Sequence, residues 1–172
     1  MSTIVSNPFS DYKPVKQHHR NGCWAACLEW WSRTVLGCTG YTQDGIRKMS
    51  SVKAMYKSDS TTGVKYKTKS DEYGTLEKHE LIGLLRTTPW CLSAAEVIKP
   101  TAASLQTHLS RGPVMIGFYD LNGDTWHVNV ICNYDPVYDM VVAMEPRSGK
   151  YVDRAFFEYI EYSSYNVVGW RT

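Results

Sequence analysis

The residues that could carry out chemistry centre on Cys23, which follows Gly22 and precedes the run Trp-Ala-Ala. Apolar residues recur behind it at helical spacing, so Cys23 is predicted to begin a buried helix. A helix N-terminus offers unpaired N–H groups and a partial positive charge, and both favour a thiolate over a thiol. Because the thiolate is the reactive form, this position predicts a nucleophile that attacks acyl carbons.

A glutamine lies six residues before this cysteine, at Gln17. Its side-chain amide could donate an N–H to the oxyanion that forms when a thiolate attacks a carbonyl. The backbone N–H of Cys23 would be the second donor. The two groups together predict an oxyanion hole.

The nucleophile needs a base, and His127 is the best placed of the five histidines. It begins a predicted β-strand, and a strand end is a firm mount for a catalytic group. His79 and His108 lie on predicted amphipathic helices and are interpreted as surface residues. His18 and His19 belong to the segment before the nucleophile, which is a less rigid mount for a base.

The carboxylate expected to orient His127 is Glu145. If residues 127–134 and 139–145 form a hairpin about a turn at 135–138, the position opposite His127 is near 146. Glu145 then lies beside the imidazole on the neighbouring strand. Asp135 and Asp139 would lie at the far end of the hairpin, too distant to reach the ring.

Metal binding is the competing chemistry, since Cys23 and Cys27 are spaced i, i+4 with two histidines close by. Zinc sites usually take cysteine pairs from tight turns and need a second ligand pair. Cys38 and Cys91 stand alone in the sequence. We therefore expect no metal and no organic cofactor.

The elements that must position these residues follow from the hydrophobic pattern. The sequence predicts an extended segment over 1–16 and a polar, Lys-rich surface loop over 56–75. It contains no internal repeat. Five helices are predicted, at 23–35, 43–49, 76–86, 101–110 and 155–162, and four strands, at 113–119, 126–134, 139–145 and 165–170. Helices packed on a mostly antiparallel sheet make one α+β domain over residues 1–172.

Composition bounds the class of protein. The chain has 172 residues, 43% hydrophobic and 21% charged, with a net charge of +2, which is ordinary for one globular domain and makes no case for nucleic acid. Its apolar runs are too short to span a bilayer, and its N-terminus lacks the pattern of a secretory signal. Five cysteines without such a signal argue against a disulfide framework and for a reducing compartment. Cys27, Cys91 and Cys132 are expected to be small buried residues.

Taken together, these residues resemble the papain-like cysteine peptidases, over roughly residues 14–160. Within that group the resemblance is to compact bacterial effector and toxin peptidases and to the bacteriocin-processing (double-glycine) peptidases. The motifs that carry it are Gln17, Cys23-Trp24-Ala25-Ala26, Ser110-Arg111-Gly112-Pro113-Val114, His127-Val128-Asn129-Val130-Ile131 and Glu145-Pro146-Arg147-Ser148-Gly149.

The resemblance implies a papain-like fold in which the nucleophile helix leads the helices packed on the sheet. It implies Cys23 as nucleophile, His127 as general base and acid, Glu145 as orienting acid and Gln17 as oxyanion donor. The chain departs from the family at the third position, which is usually Asp or Asn.

The function expected from this reasoning is hydrolysis of peptide bonds in a protein target through a thioester acyl-enzyme. The family context predicts a bacterial effector or toxin domain, delivered by a specialised secretion route and active in a reducing target-cell cytoplasm. Its expected partners are a protein substrate and a cognate immunity or inhibitor protein, with no nucleic acid and no membrane insertion. A glutamine deamidase, a cell-wall amidase and a catalytically silent binding module are the alternatives.

Overall fold

A six-stranded antiparallel sheet organises the chain, in the spatial order β1-β6-β2-β3-β4-β5. The computed structural model describes residues 5–49, 76–121 and 125–172, so the predicted loop at 56–75 lies outside the described residues. The strands are β1 (Ser93–Val97), β2 (Val114–Asp120), β3 (Thr125–Asp135), β4 (Met140–Glu145), β5 (Lys150–Ala155) and β6 (Asn166–Trp170). The helices are α1 (Cys23–Thr34), α2 (Gln43–Lys48), α3 (Lys78–Arg86), α4 (Ala102–Leu109) and α5 (Phe157–Ile160).

Helix α1 is the central helix of the fold, and every residue from Cys23 to Ser32 is buried. Ala, Leu and Trp in this segment favour the helix and supply large apolar surface. Trp30 and Trp31 are fully buried. Gly22 precedes the helix with φ −93° and ψ 11° and carries no side chain to cap it, so the first N–H groups of α1 receive no side-chain cap.

The sheet separates two apolar cores, and the alternation of side chains along β3 divides between them. Val128, Val130 and Cys132 belong to the larger core with α1 and α3. Ile131 belongs to the smaller core, which includes Leu105 of α4 and residues around α5. Helices therefore cover both faces of the sheet, and the predicted α+β class, with helices packed on a mostly antiparallel sheet, is confirmed.

The two strands that the sequence did not predict, β1 and β5, are the edges of the sheet. Ser-Ala-Ala-Glu-Val and Lys-Tyr-Val-Asp-Arg-Ala contain few strand-forming residues, and most of their side chains are partly exposed. Edge strands are buried on fewer sides, so their sequences carry a weaker hydrophobic pattern. Their place in the sheet comes from pairing with β6 and β4.

The cysteines differ from expectation at one position. Cys27 and Cys132 are buried as predicted, but Cys91 is exposed, in the segment between α3 and β1 where its φ is 47°. All five thiols are free. Within the three described ranges, no helix is long and apolar enough to cross a membrane.

Candidate active site

Three of the predicted site residues meet in one place. His127 Nε2 lies 2.6 Å from Glu145 Oε1. The carboxylate can only accept, so the ring nitrogen donates. Cys23 and His127 line the same cleft, and their side chains are close enough to interact electrostatically. The structure thus brings Cys23, His127 and Glu145 together.

Each of the three is mounted on a regular element. Cys23 is the first residue of α1, His127 lies near the start of β3, and Glu145 ends β4. Val130 pairs with Met144 across the two strands, which puts Glu145 level with Asn129 rather than with His127. Residues two apart share a face of the sheet, so the long Glu145 side chain reaches the imidazole diagonally.

Glu145 is held as a carboxylate by several donors, although it is only 5% exposed. Its Oε1 also accepts the backbone N–H of Arg147 at 2.9 Å, and its Oε2 accepts from Arg154 Nη2 at 3.3 Å. Burial alone would raise the pKa of Glu145. The hydrogen bond and charge of His127, the Arg147 N–H and the Arg154 guanidinium outweigh burial and lower that pKa.

The imidazole is correspondingly held in its charged form. Burial of His127 pulls its pKa down, but its interaction with the Cys23 side chain and the hydrogen bond and negative charge of Glu145 raise that pKa to about 9. The shifts of His127 and Glu145 run in opposite directions, as expected of an ion pair. At neutral pH the site holds an imidazolium between a carboxylate and a sulfur.

Asn129, which was not predicted as a site residue, contacts the Glu145 carboxylate. It is fully buried and shares a face with His127. The amide orientation that satisfies both of its atoms lets Nδ2 donate to Glu145 Oε2 at 3.3 Å, while Oδ1 accepts from the Tyr159 hydroxyl at 3.2 Å. The spacing of two from His127 on a strand was the signal in the sequence that could have identified it.

Two arginines surround the carboxylates at this end of the sheet. Arg154 Nη1 lies 3.8 Å from Asp120 Oδ1, and Arg147 Nη1 bonds Asp120 Oδ2 at 2.9 Å. The Arg154 guanidinium also lies 5.3 Å from the centre of the Phe118 ring. Sequence reasoning missed Arg154 because it missed β5, the strand that carries it. Arg147 lies within the Glu-Pro-Arg-Ser-Gly motif, but nothing in that motif indicates its pairing with Asp120.

Cys27, one helical turn after Cys23, has a different environment. It is fully buried, and its thiol donates to the carbonyl of Val128 at 3.3 Å. Burial is the largest cause that raises the pKa of Cys27 well above its usual value, and the negative charge of Glu145 adds to it. Cys27 is therefore an inert, protonated core residue.

Gln17 lines the same cleft as Cys23, but its amide is engaged elsewhere. Nε2 donates to the carbonyls of His19 at 2.9 Å and Arg20 at 2.8 Å. Both of its hydrogens are thus used within the loop that leads to Cys23. Oε1 is buried without a hydrogen-bond partner among the described residues. The structure brings Gln17 to the site without presenting a free N–H to the cleft.

The segment around Gln17 is pressed against the turn that follows Glu145. The Gln17 backbone N–H donates to the Pro146 carbonyl at 2.8 Å. Gly149, in the same turn, has φ +65°, and a Cβ there would lie 2.7 Å from Lys16 Cβ. Glycine is required at this position both for the backbone conformation and for the close approach. The segment that carries Gln17 and the turn that follows Glu145 are therefore in direct contact.

A cleft of about 540 Å³ opens beside the three residues. It is large enough for a short stretch of polypeptide. Leu76, Leu81 and Val167 contribute apolar surface to it, and Trp126 stacks on Tyr165 with ring centres 4.7 Å apart. Apolar walls next to a polar constellation are typical of a substrate-binding site.

The remaining histidines near the nucleophile do not compete for the role of base. His18 Nδ1 lies 3.7 Å from Asp44 Oδ2, on the side of α2, and the rings of His18 and His19 contact each other edge to face. In the described part of the chain, no group of three or more His, Cys, Asp or Glu side chains could hold a metal ion.

The fold of this chain is similar to that of a solved peptidase domain. No family model and no curated protein matches the sequence. A solved structure, the peptidase domain of Streptococcus ComA, a bi-functional ABC transporter involved in a quorum-sensing pathway, superposes with a TM-score of 0.59. The match covers 94% of this chain and 99% of that domain, at 11% sequence identity. The chain therefore shares the fold of that peptidase domain.

Proposed function

We propose that this protein is a cysteine peptidase that hydrolyses peptide bonds of a protein target with Cys23, His127 and Glu145. The observation that carries the proposal is the convergence in one cleft of the Cys23 sulfur and the His127 imidazole, with the imidazole bonded at 2.6 Å to the buried Glu145 carboxylate. The fold shared with a peptidase domain supports the same reaction class. A nucleophile, a base and an orienting acid in this order are the parts that acyl transfer requires.

Acylation uses the pair as thiolate and imidazolium. The Cys23 sulfur attacks the carbonyl carbon, and the C=O electrons move onto oxygen. His127 then gives its proton to the leaving amine as the C–N bond breaks, which produces a thioester and a free amine. In the second half, His127 takes a proton from water, the resulting hydroxide attacks the thioester, and the C–S bond breaks to release the acid and restore the thiolate.

Gln17 is proposed as an oxyanion donor together with the Cys23 backbone N–H. This role requires one Gln17 N–H to leave the carbonyl of His19 or Arg20 during the reaction. The exchange is favourable because a charged oxyanion accepts a stronger hydrogen bond than a neutral carbonyl. Loss of one such donor typically costs about 10²–10³ in rate.

The biological setting is proposed as that of a bacterial effector or toxin domain acting in a reducing target-cell cytoplasm after delivery by a specialised route. A producing cell would then need protection, so a cognate inhibitor protein that covers the cleft is the proposed partner. The fold shared with a transporter's peptidase domain favours a second setting, processing of a peptide before its export. Both settings use the same peptidase chemistry.

Mapping of new protein N-termini in cells that make the wild type or Cys23→Ala tests the activity. New termini that depend on Cys23 support the peptidase, and their identity separates a host target from a precursor peptide. Intact masses that rise by about 1 Da without cleavage would instead show a glutamine deamidase with the same triad. Identical proteomes and masses in the two cells would contradict the proposed activity.

A further inference from the structure

Gln43 holds the proposed oxyanion donor in place through bonds on both sides of it. Gln43 begins α2 and is only 2% exposed. Its Oε1 accepts the backbone N–H of His18 at 3.0 Å, and its Nε2 donates to the backbone carbonyl of Lys16 at 2.9 Å. The amide therefore bridges the residues before and after Gln17, which fixes the direction in which the Gln17 side chain leaves the backbone.

Gln43 is also bonded to helix α1, the helix that begins at Cys23. The Gln43 backbone N–H donates to Glu29 Oε2 at 2.8 Å. Glu29 lies on α1, is 5% exposed, and pairs through Oε1 with Arg33 one turn later. A buried carboxylate with partners on both oxygens is a fixed point, since each partner restricts its rotamer. One helix and three buried or partly buried hydrogen bonds therefore connect Cys23, through Glu29 and Gln43, to the segment that carries Gln17.

We propose that Gln43 is a positioning residue that sets the oxyanion donor Gln17 relative to the nucleophile Cys23. The proposal rests on the function proposed above and extends it to a residue outside the cleft. Its physical basis is that oxyanion stabilisation depends steeply on donor placement, so that a displacement of about 1 Å can cost about 10²-fold in rate. Besides the two Gln43 bonds, the hydrogen bond from the Gln17 backbone N–H to the Pro146 carbonyl restrains this segment at one further point.

Two reagents separate this role from a general effect on folding. Acylation by p-nitrophenyl acetate passes through an oxyanion, whereas alkylation by iodoacetamide displaces iodide at a methylene carbon and forms none. The Gln43→Met variant keeps an unbranched side chain but removes both bonds to the loop. We expect its acylation rate, corrected with Cys23→Ala, to fall about 10- to 100-fold. The alkylation rate of Cys23 is expected to change less than about twofold, because the thiolate–imidazolium pair is unaffected.

A double-variant comparison adds a readout that a structural role would not move. If Gln43 acts through Gln17, the variant Gln17→Ala/Gln43→Met acylates no more slowly than Gln17→Ala alone. Gln106→Met, at an exposed position of α4, controls for the introduction of methionine.

The outcomes distinguish this proposal from the proposed function. Additive losses in the double variant, a parallel fall of both rates in Gln43→Met, or unchanged acylation in that variant would each overturn the positioning role. The peptidase proposal fails separately, if wild-type protein shows no acylation that depends on Cys23.

Discussion

The two halves of the proposed site are built in different ways. The proposed acid–base half consists of His127, Glu145 and Arg154, which lie on three consecutive strands, β3, β4 and β5. The proposed oxyanion half consists of the loop from Gln17 to Gly22, which has no regular structure of its own and is held by bonds to α2 and to the Pro146 turn. Strand register fixes the first half, and side-chain bonds to backbone fix the second.

The two halves should differ in how well their geometry tolerates substitutions. A sheet register is shared by many backbone hydrogen bonds, so one substitution rarely shifts it. A loop held by a few side-chain bonds depends on each of them individually. Substitutions in the acid–base half should therefore change the chemistry while leaving the geometry intact. Substitutions around the loop should change the geometry of a chemically intact site.

The largest expected effect separates the two cysteines of α1. Cys23→Ala removes the nucleophile, so peptide hydrolysis should fall by about 10⁶-fold, the scale seen when a triad nucleophile is lost. Cys27→Ala is the matched control one turn away, and it should retain hydrolysis while losing some stability from a small cavity. Rates with a substrate identified by N-terminus mapping provide the measurement. Retained hydrolysis in Cys23→Ala would show that the nucleophile lies elsewhere.

Glu145→Gln should have the next largest effect, a loss of about 10⁴-fold in kcat, the scale seen when a triad carboxylate becomes an amide. The amide is nearly isosteric and its oxygen can still accept from the ring N–H, but it carries no negative charge, so the imidazolium loses its partner charge. Glu161→Gln, on an exposed glutamate, controls for the charge change. A loss below about tenfold would indicate that another group orients His127.

Some parts of the site could be predicted from the sequence, and others could not. The pairing of His127 with Glu145 was predictable because alternation and a turn signal fix a hairpin to within one or two residues. Arg154 was not predictable, because β5 is an edge strand whose pattern is weak. Gln43 and Glu29 were not predictable either, since a buried bond between a helix start and a distant loop leaves no periodic signal. The placement of the Gln17 amide depends on loop carbonyls that no spacing rule describes.

Arg154→Met tests the support of the acid–base half. It leaves the buried carboxylates of Glu145 and Asp120 without one of their cations, and breaking such a pair costs about 3 kcal/mol in the free energy of unfolding. Denaturant unfolding measures this cost, with Arg111→Met at an exposed position as the control. A change below about 0.5 kcal/mol, the scale of ordinary surface substitutions, would mean that Arg154 does not stabilise this end of the sheet.

The pH dependence of hydrolysis gives the smallest but most specific effect. His127 must carry a proton to give to the leaving amine, and its pKa is about 9. The rate should therefore hold to about pH 9 and fall about tenfold per unit above it, with the apparent value belonging to the coupled Cys23–His127 pair. Because the Glu145 charge raises the pKa of His127, residual activity of Glu145→Gln should show this limb at lower pH. An unmoved limb would contradict the pairing.

The central claim, that burial does not protect Cys23 because His127 activates it, is tested most directly by alkylation of each cysteine at pH 6. Cys23 is only 6% exposed, whereas Cys38 and Cys91 are exposed. Site-resolved mass spectrometry after brief iodoacetamide treatment should show Cys23 modified at least about tenfold faster than either exposed thiol, and the advantage should vanish in His127→Ala. Labelling in which Cys38 and Cys91 react first in the wild type would contradict the account.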